Sequence, residues 1–184
     1  LSRRSPLGRF NVPDFDKNPC KGVIFEGVKE RNVCYGGTQD QDNSGVLKYV
    51  RVEYGGYPIA PNKEVNGFTF NGVGSDTLVD YIQAHMIKDD GVEFFGGTVN
   101  VKHVISTGND DDGIDWDFGW RGKAQFVLIQ QADDIADNGF ESDSNAVVPD
   151  SAPRSSPTLS NVTMIGGKTS GYGMLLRKGT SGTI

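Results

Sequence analysis

The sequence predicts an all-β protein, a parallel β-helix in which short strands stack coil upon coil. Three observations predict it: a composition rich in turn-forming residues, two strand-like signatures that alternate along the chain, and no helix-length segment between successive strands. The chain has 184 residues, of which 25 are glycine, and aspartate outnumbers glutamate by 18 to 6. Because glycine and aspartate favour turns and weaken helices, this composition disfavours a helical bundle.

The charge and hydropathy of the chain narrow the classes of function. The net charge is −6, whereas a general nucleic-acid binder carries a basic surface. No apolar stretch approaches the ~20 residues that a membrane-spanning helix needs. The length suits one domain with a sizeable core.

The first signature is a polar residue followed by glycine, an apolar residue, any residue and, in most copies, an aromatic residue. Copies lie at residues 66–70, 90–94, 112–116 and 138–142, and their glycines are 24, 22 and 26 residues apart. Each copy is too short for a helix and lacks helical periodicity. We interpret each copy as one short strand entering from a turn.

The second signature has apolar residues at positions i, i+3 and i+5. Its copies begin at Leu47, Val79, Val101, Ala124 and Leu159. Position i+2 holds Tyr49, Tyr81, His103, Phe126 and Asn161. If these positions stack, His103 is a packing residue of that stack rather than a metal ligand.

Two strand types in fixed alternation favour a β-helix over the other all-β and α/β folds. Hairpin sandwiches do not repeat two strand types in this way, and α/β folds need crossover helices between parallel strands. We expect about five to six coils of 22–24 residues over residues 45–184, with Pro-rich insertions at 54–64 and 146–157. Because the last residues continue the pattern, we expect the chain to be a piece of a longer solenoid.

Residues 1–44 are less regular, and we expect there a partial first coil near residues 23–25 and a loop that holds both cysteines. Cys20 and Cys34 would form a disulfide if the protein is exported, since disulfides persist in oxidising compartments. Two unpaired thiols are the alternative.

Acidic residues concentrate between residues 89 and 143, where thirteen acids face three bases and the net charge is −10. Strand alternation turns Val92, Ile114 and Phe140 inward and leaves Glu93, Asp115 and Glu141 pointing outward in one ladder. Adjacent strands lie about 4.8 Å apart, so neighbouring carboxylates repel by roughly 1–3 kcal/mol per pair. Splaying into water, raised pKa values or a bound cation would relieve this repulsion.

The functional interpretation of this ladder is a Ca²⁺ site, since Ca²⁺ takes six to eight hard oxygen ligands from flexible loops. The candidate ligands are Asp110, Asp111, Asp115, Asp117, Glu141 and Asp143. A solvated acidic face without an ion is the alternative, because Asp-Gly and Asn-Gly also form ordinary turns.

A second interpretation is acid–base catalysis by paired carboxylates, which in glycoside hydrolysis lie roughly 5–9.5 Å apart. The candidate catalytic residues are Asp112, Asp115 and Asp137. Turn residues Trp120, Arg121 and Lys123 are candidate ligand-binding residues, since an exposed aromatic ring stacks on sugars and the two bases lie nearest to the acids in sequence.

Four segments, at residues 42–56, 93–103, 110–115 and 138–143, carry a resemblance to a family. The chain resembles a group of bacterial exported, often lipoprotein-type, right-handed parallel β-helix proteins without an agreed activity. The resemblance covers roughly residues 36–176. It implies right-handed coils and a location at the cell surface (outer membrane) or outside the cell.

Residues 110–115, Asp-Asp-Asp-Gly-Ile-Asp, also resemble the Asn-Thr-Asp-Gly-Ile-Asp strand of polygalacturonases, which are β-helices too. That resemblance implies Asp112 as a catalytic acid, with Asp137 and Asn138 in the place of a second carboxylate pair. Arg177 and Lys178 resemble the family's Arg-x-Lys, but they are adjacent. Adjacent strand residues face opposite sides, so we expect that these two do not converge on one ligand.

Three hypotheses of function follow. The first is an exported structural and binding module whose acidic ladder binds Ca²⁺ and a polysaccharide. The second is a carbohydrate-active enzyme, a glycoside hydrolase or a polysaccharide lyase. The third is a self-assembling protein without a ligand, because exposed strand edges at the ends of a solenoid favour end-to-end association.

Overall fold

The computed structural model describes residues 23–25, 34–61 and 63–184. Within these residues no helix is long and apolar enough to cross a membrane. The strands are β1 (Val23–Ile24), β2 (Cys34–Tyr35), β3 (Val46–Glu53), β4 (Tyr57–Ala60), β5 (Lys63–Val65), β6 (Phe68–Asn71), β7 (Leu78–His85), β8 (Val92–Phe95), β9 (Asn100–Thr107), β10 (Ile114–Asp117), β11 (Lys123–Gln130), β12 (Phe140–Ser142), β13 (Thr158–Ile165) and β14 (Met174–Leu176).

Two parallel sheets, each of five strands, form the solenoid. The long-strand sheet has the order β3-β7-β9-β11-β13, and the short-strand sheet has the order β6-β8-β10-β12-β14. Since each chain segment contributes one strand to each sheet before the next segment repeats the pattern, the chain winds in coils rather than folding back by hairpins. The predicted parallel β-helix is confirmed, with five coils in the described residues.

The repeated glycine marks the place where one coil touches the next. A Cβ atom added at Gly67 would lie 2.6 Å from the carbonyl oxygen of Gly91, and one added at Gly91 would lie 2.8 Å from that of Gly113. At Gly113 the added atom would lie 2.7 Å from the carbonyl oxygen of Gly139. A side chain at this position would therefore push two coils apart, which explains why the first signature always contains glycine.

The second signature reflects a left-handed residue in the middle of each long strand. Its i+2 residues all have positive φ, between 51° and 59°, at Tyr49, Tyr81, His103, Phe126 and Asn161. This conformation lets two consecutive residues face outward, so the inward positions become i, i+3 and i+5 instead of alternating. Ring centroids along this outer ladder are 5.0, 4.2 and 5.0 Å apart, which confirms that His103 is a packing residue.

The core lies between the two sheets and consists of their inward side chains. Phe94 is stacked between Phe70, at 5.2 Å, and Trp120, at 3.9 Å between ring centroids. The predicted inward residues Val92, Ile114 and Phe140 are all buried, and so are the residues two positions further along each strand, Phe94, Trp116 and Ser142. The parity inferred from the first signature is therefore correct.

The N-terminal prediction is wrong in one respect. Val23 pairs antiparallel with Tyr35, so β1 and β2 form a separate two-stranded sheet and β1 is not part of a first coil. This small sheet packs against Phe95 and Phe118 on the outer side of the short-strand sheet, where its apolar residues are covered. Cys34 is disulfide-bonded, whereas Cys20 lies outside the described residues.

The two predicted insertions leave the coils as expected, but they differ in structure. The first contains an antiparallel hairpin of β4 and β5, where a simple loop was predicted. The second, residues 146–157, has no strand. Near the C-terminus Thr183 pairs with Thr158 along the outer edge of β13, so this edge is partly covered by the chain itself.

The close approach of coils at glycine can be tested by substitution. We expect Gly113→Ala to lower the free energy of unfolding by about 2–3 kcal/mol, because backbone and the Ile129 side chain block the new methyl group. Gly166→Ala is the matched control, since the nearest atom to its Cβ lies 3.7 Å away, and it should change stability by about 0.5 kcal/mol or less. Urea unfolding measures both, and equal effects would contradict this account.

Candidate functional site

The acidic ladder lies on the outer face of the short-strand sheet, in the predicted register. Asp115 pairs with Glu93 on one side and with Glu141 on the other. Glu93 is 8% exposed, so the outward face of this sheet is less solvated at Glu93 than strand alternation predicts. The carboxylates are therefore stacked and also partly removed from water, which increases their mutual repulsion.

A second ladder, which was not predicted from the sequence, runs beside the first. Three of the polar residues that precede a repeated glycine, Asp90, Asp112 and Asn138, each accept a hydrogen bond from the backbone N–H of the residue at the same position in the next coil. Asp112 N donates to Asp90 Oδ1 at 3.0 Å, Asn138 N donates to Asp112 Oδ1 at 2.5 Å, and Tyr172 N donates to Asn138 Oδ1 at 3.1 Å. The signal was present in the sequence, as the polar residue that precedes each glycine.

The two ladders bring carboxylates into three groups whose nearest oxygen atoms lie within 4.8 Å of one another. The open cluster is Asp111, Asp112 and Asp137, of which Asp111 and Asp137 are exposed. The buried cluster is Asp90, Glu93 and Asp115, of which Asp90 and Glu93 are buried. A third group, Asp89, Asp90 and Asp111, shares one residue with each cluster.

Burial is the main cause of the pKa shifts in these clusters. It raises the pKa of Asp112 to about 7, and the charge of Asp111 adds to the shift. Burial, followed by the charges of neighbouring carboxylates, raises the pKa values of Asp90 and Asp115 well above the usual range. Burial also raises the pKa of Asp111, with contributions from Asp137 and from Glu64 on β5.

Of the six predicted metal ligands, two lie in these clusters: Asp111 in the open one and Asp115 in the buried one. Asp110 instead forms a salt bridge with Lys88, with Nζ and Oδ2 2.9 Å apart. The remaining three, Asp117, Glu141 and Asp143, lie further along the short-strand sheet, outside the three carboxylate groups found among the described residues.

Arg177 and Lys178 both bind Asp143, which corrects the expectation that they face opposite sides. Arg177 Nε lies 2.8 Å from Asp143 Oδ1, and Lys178 Nζ lies 2.6 Å from Asp143 Oδ2. Arg177 also forms a salt bridge with Glu141. Lys178 has a φ of 47°, so the strand alternation ends at this residue and both bases reach one carboxylate.

The three predicted ligand-binding residues lie in different surroundings. Trp120 is 0% exposed and stacks on Phe94 in the core, so the expectation of an exposed sugar platform is wrong. Arg121 forms two hydrogen bonds with Asp40, at 2.7 and 3.3 Å. Lys123 begins β11 in the other sheet. Sequence proximity to the acids was misleading, because successive turns lie on different sides of the coil.

The predicted catalytic residues are divided between the two clusters. Asp112 is 3% exposed, and its Oδ1 accepts the ladder hydrogen bond from the backbone N–H of Asn138. Asp112 therefore has a structural role, whether or not it also has a catalytic one. Asp137 is exposed in the open cluster, whereas Asp115 belongs to the buried cluster. Asn66, Asp90 and Glu93 were not singled out as site residues, although the first two precede repeated glycines.

The raised pKa values predict that the metal-free chain becomes less stable as the pH rises. Asp112 and Asp117 have pKa values of about 7 in the folded chain and a usual value of 3.8, so the folded state binds more protons than the unfolded state between those values. Stability is therefore highest in acid and falls towards pH 7. With a chelator present, we expect Tm to fall by roughly 5–10 °C between pH 5 and 7.5.

Asp112→Asn is the variant that tests the cause of this pH dependence. Asparagine already occupies the same ladder position at Asn138, where its Oδ1 accepts the equivalent hydrogen bond. The variant should raise Tm at pH 7.5 and flatten the pH dependence, as measured by calorimetry with chelator. A wild-type Tm that is constant or rises from pH 5 to 7.5 would contradict raised pKa values in the folded chain.

Comparisons with known proteins agree with this architecture. No curated protein and no solved structure is significantly similar to the chain. Residues 26–184 match the family described as a pectate-lyase-like beta-helix domain. The match covers most of the chain, including all five coils and both carboxylate clusters. The chain therefore belongs to the pectate-lyase-like β-helix domain family.

Proposed function

We propose that this chain is a calcium-dependent, polysaccharide-binding module of an exported cell-surface or extracellular protein, without catalytic activity of its own. The observation that carries the proposal is the open cluster. Its three carboxylates come from two successive coils, their nearest oxygens lie within 4.8 Å of one another, and two of the residues are exposed. This arrangement leaves coordination positions that a ligand can fill.

The donor set of the open cluster suits Ca²⁺. Ca²⁺ accepts carboxylate oxygens in flexible geometry and takes six to eight ligands. Asp112 commits Oδ1 to the backbone N–H of Asn138, which leaves Oδ2 for an ion. The three side chains cannot fill the coordination sphere, so water or a carboxylate of a bound molecule would complete it.

Positive charge beside the cluster supports an acidic polysaccharide as the ligand. The charge of Arg177 lowers the pKa of Asp111 against the larger effect of burial, so the guanidinium lies within electrostatic reach of the open cluster. Arg177 and Lys178 are also about one third exposed. A uronate carboxylate bound to Ca²⁺ in this cluster would therefore lie within the electrostatic field of the Arg177 guanidinium.

The disulfide of Cys34 supports the proposed export, since disulfides persist outside the reducing cytoplasm. The family match is also consistent with polysaccharide as a ligand, because its name refers to an enzyme class that acts on pectate. Both points support the location and ligand class only, and the open cluster remains the basis of the proposal.

A glycan-binding experiment tests the proposal. Polygalacturonate is the acidic probe and dextran the neutral one, each in affinity electrophoresis of the full chain with Ca²⁺ or with chelator. We expect retardation by polygalacturonate in Ca²⁺ alone, and a loss of about tenfold or more in affinity for Asp137→Asn, because the ion loses a ligand.

Asp134→Asn is the matched control, since Asp134 is exposed on the same turn and belongs to none of the carboxylate groups among the described residues. It should bind as the wild type does. Binding that is equal in Ca²⁺ and chelator, or that survives Asp137→Asn, would contradict a calcium-dependent module.

A carbohydrate-active enzyme is the second candidate, and one observation favours it. Asp111 and Asp137 form an exposed carboxylate pair of the kind that performs acid–base chemistry on sugars. Incubation with polygalacturonate, followed for new reducing ends and for unsaturated products, separates the candidates. The binding module gives no turnover, whereas turnover that Asp137→Asn abolishes would establish the enzyme instead.

A further inference from the structure

Asn66, which contacts the buried cluster through Glu93, has a side-chain oxygen atom without a hydrogen-bond partner. Asn66 is 5% exposed, and its Nδ2 donates hydrogen bonds to Glu93 Oε2 and Thr69 Oγ1. Its Oδ1 is buried and has no hydrogen-bond partner. A buried amide oxygen without a partner is costly and is rarely left in a native structure.

Asp115 presents a second such oxygen. Its Oδ1 is also buried without a partner, and Asp115 pairs in register with Glu93, the residue whose carboxylate contacts the Asn66 amide. Two unpartnered oxygens thus belong to side chains that lie on either side of Glu93 in neighbouring coils. Both are acceptors. A cation in the buried cluster would satisfy the Asp115 oxygen directly, whereas Asn66 now turns its Nδ2 towards Glu93.

Rotation of the Asn66 amide brings its oxygen to the cluster without moving the backbone. A half-turn about χ2 exchanges Oδ1 and Nδ2, which have nearly the same shape. Oδ1 would then take the place that Nδ2 now holds beside the Glu93 carboxylate. Two oxygens in contact repel in the absence of an ion, but they can coordinate the same cation.

We propose that Asn66, Asp90, Glu93 and Asp115 form a second cation site, distinct from the open cluster, that binds Ca²⁺ as a structural link between three successive coils. Asn66 precedes β6, Asp90 and Glu93 flank the start of β8, and Asp115 lies on β10. Asp90 gives Oδ1 to the ladder hydrogen bond from Asp112 N, which leaves Oδ2 for the ion.

The ligand chemistry favours Ca²⁺ over Mg²⁺ at this site. Three carboxylates and one amide oxygen fit the flexible, oxygen-rich coordination of Ca²⁺. Mg²⁺ demands a regular octahedron and keeps several waters, for which a largely buried cluster has little room. Mg²⁺ should therefore stabilise the chain less than Ca²⁺ at equal concentration.

Ion stoichiometry of the metal-stripped full chain tests this proposal separately from the proposed function. Equilibrium dialysis with Ca²⁺ should give two ions for the wild type. Asp115→Asn should remove the ion of the buried cluster, and Asp137→Asn should remove only the ion of the open cluster. An Asp115→Asn variant that still binds two ions would overturn the buried site and leave the open site standing.

Thermal melting distinguishes the loss of a ligand from damage to the fold. Asp115→Asn removes one of three neighbouring buried carboxyl groups, so it should raise Tm at pH 7.5 without metal and reduce the increase in Tm that Ca²⁺ produces. Asn66→Ala should weaken binding of the same ion by about tenfold. Asn71→Ala is the control, because Asn71 lies on β6 and has a buried unpartnered Oδ1 but belongs to neither cluster. Equal affinities in Asn66→Ala and Asn71→Ala would also overturn the site.

Discussion

The contact between glycines of successive coils is the constraint on which the rest of the structure depends. At Gly67, Gly91 and Gly113 the next coil's carbonyl oxygen occupies the space of a Cβ atom. The backbones of successive coils are therefore in direct contact at these glycines. This contact fixes the axial register of both sheets. It also fixes which polar residue lies above which, because each ladder residue directly precedes the glycine that makes the contact.

The same register creates the electrostatic problem that the proposed sites would solve. A globular fold can separate its acidic residues over the surface, but a solenoid repeats them at the spacing of its strands. At that spacing each pair of carboxylates costs roughly 1–3 kcal/mol. At Glu141 and Asp143 the chain relieves this cost internally, with the side chains of Arg177 and Lys178. No ion pair among the described residues involves Asp90 or Asp115. A cation bound there would relieve the repulsion between these carboxylates.

Most of the fold could be predicted from the periodicity of the sequence. The two signatures gave the strand types, the inward parity and the stacking of Glu93, Asp115 and Glu141, because all of these repeat with the coil. The site was harder to predict, because turns and conformational exceptions do not repeat. The left-handed Lys178, the burial of Trp120 and the pairing of Arg121 with Asp40 depend on single backbone angles or on contacts between distant segments. The Asn66 amide is an intermediate case, repeated in sequence but distinguished by its surroundings.

The left-handed residue at the centre of each long strand has an evolutionary consequence. Tyrosine, histidine, phenylalanine and asparagine all occur at this place, whereas valine and isoleucine are the residues most strained by such a backbone. A duplicated coil would bring its own left-handed residue with it, so the solenoid can lengthen by whole coils. Substitutions at this position are then restricted to residue types that tolerate the left-handed conformation. In divergent relatives, the number of such positions therefore indicates the number of coils.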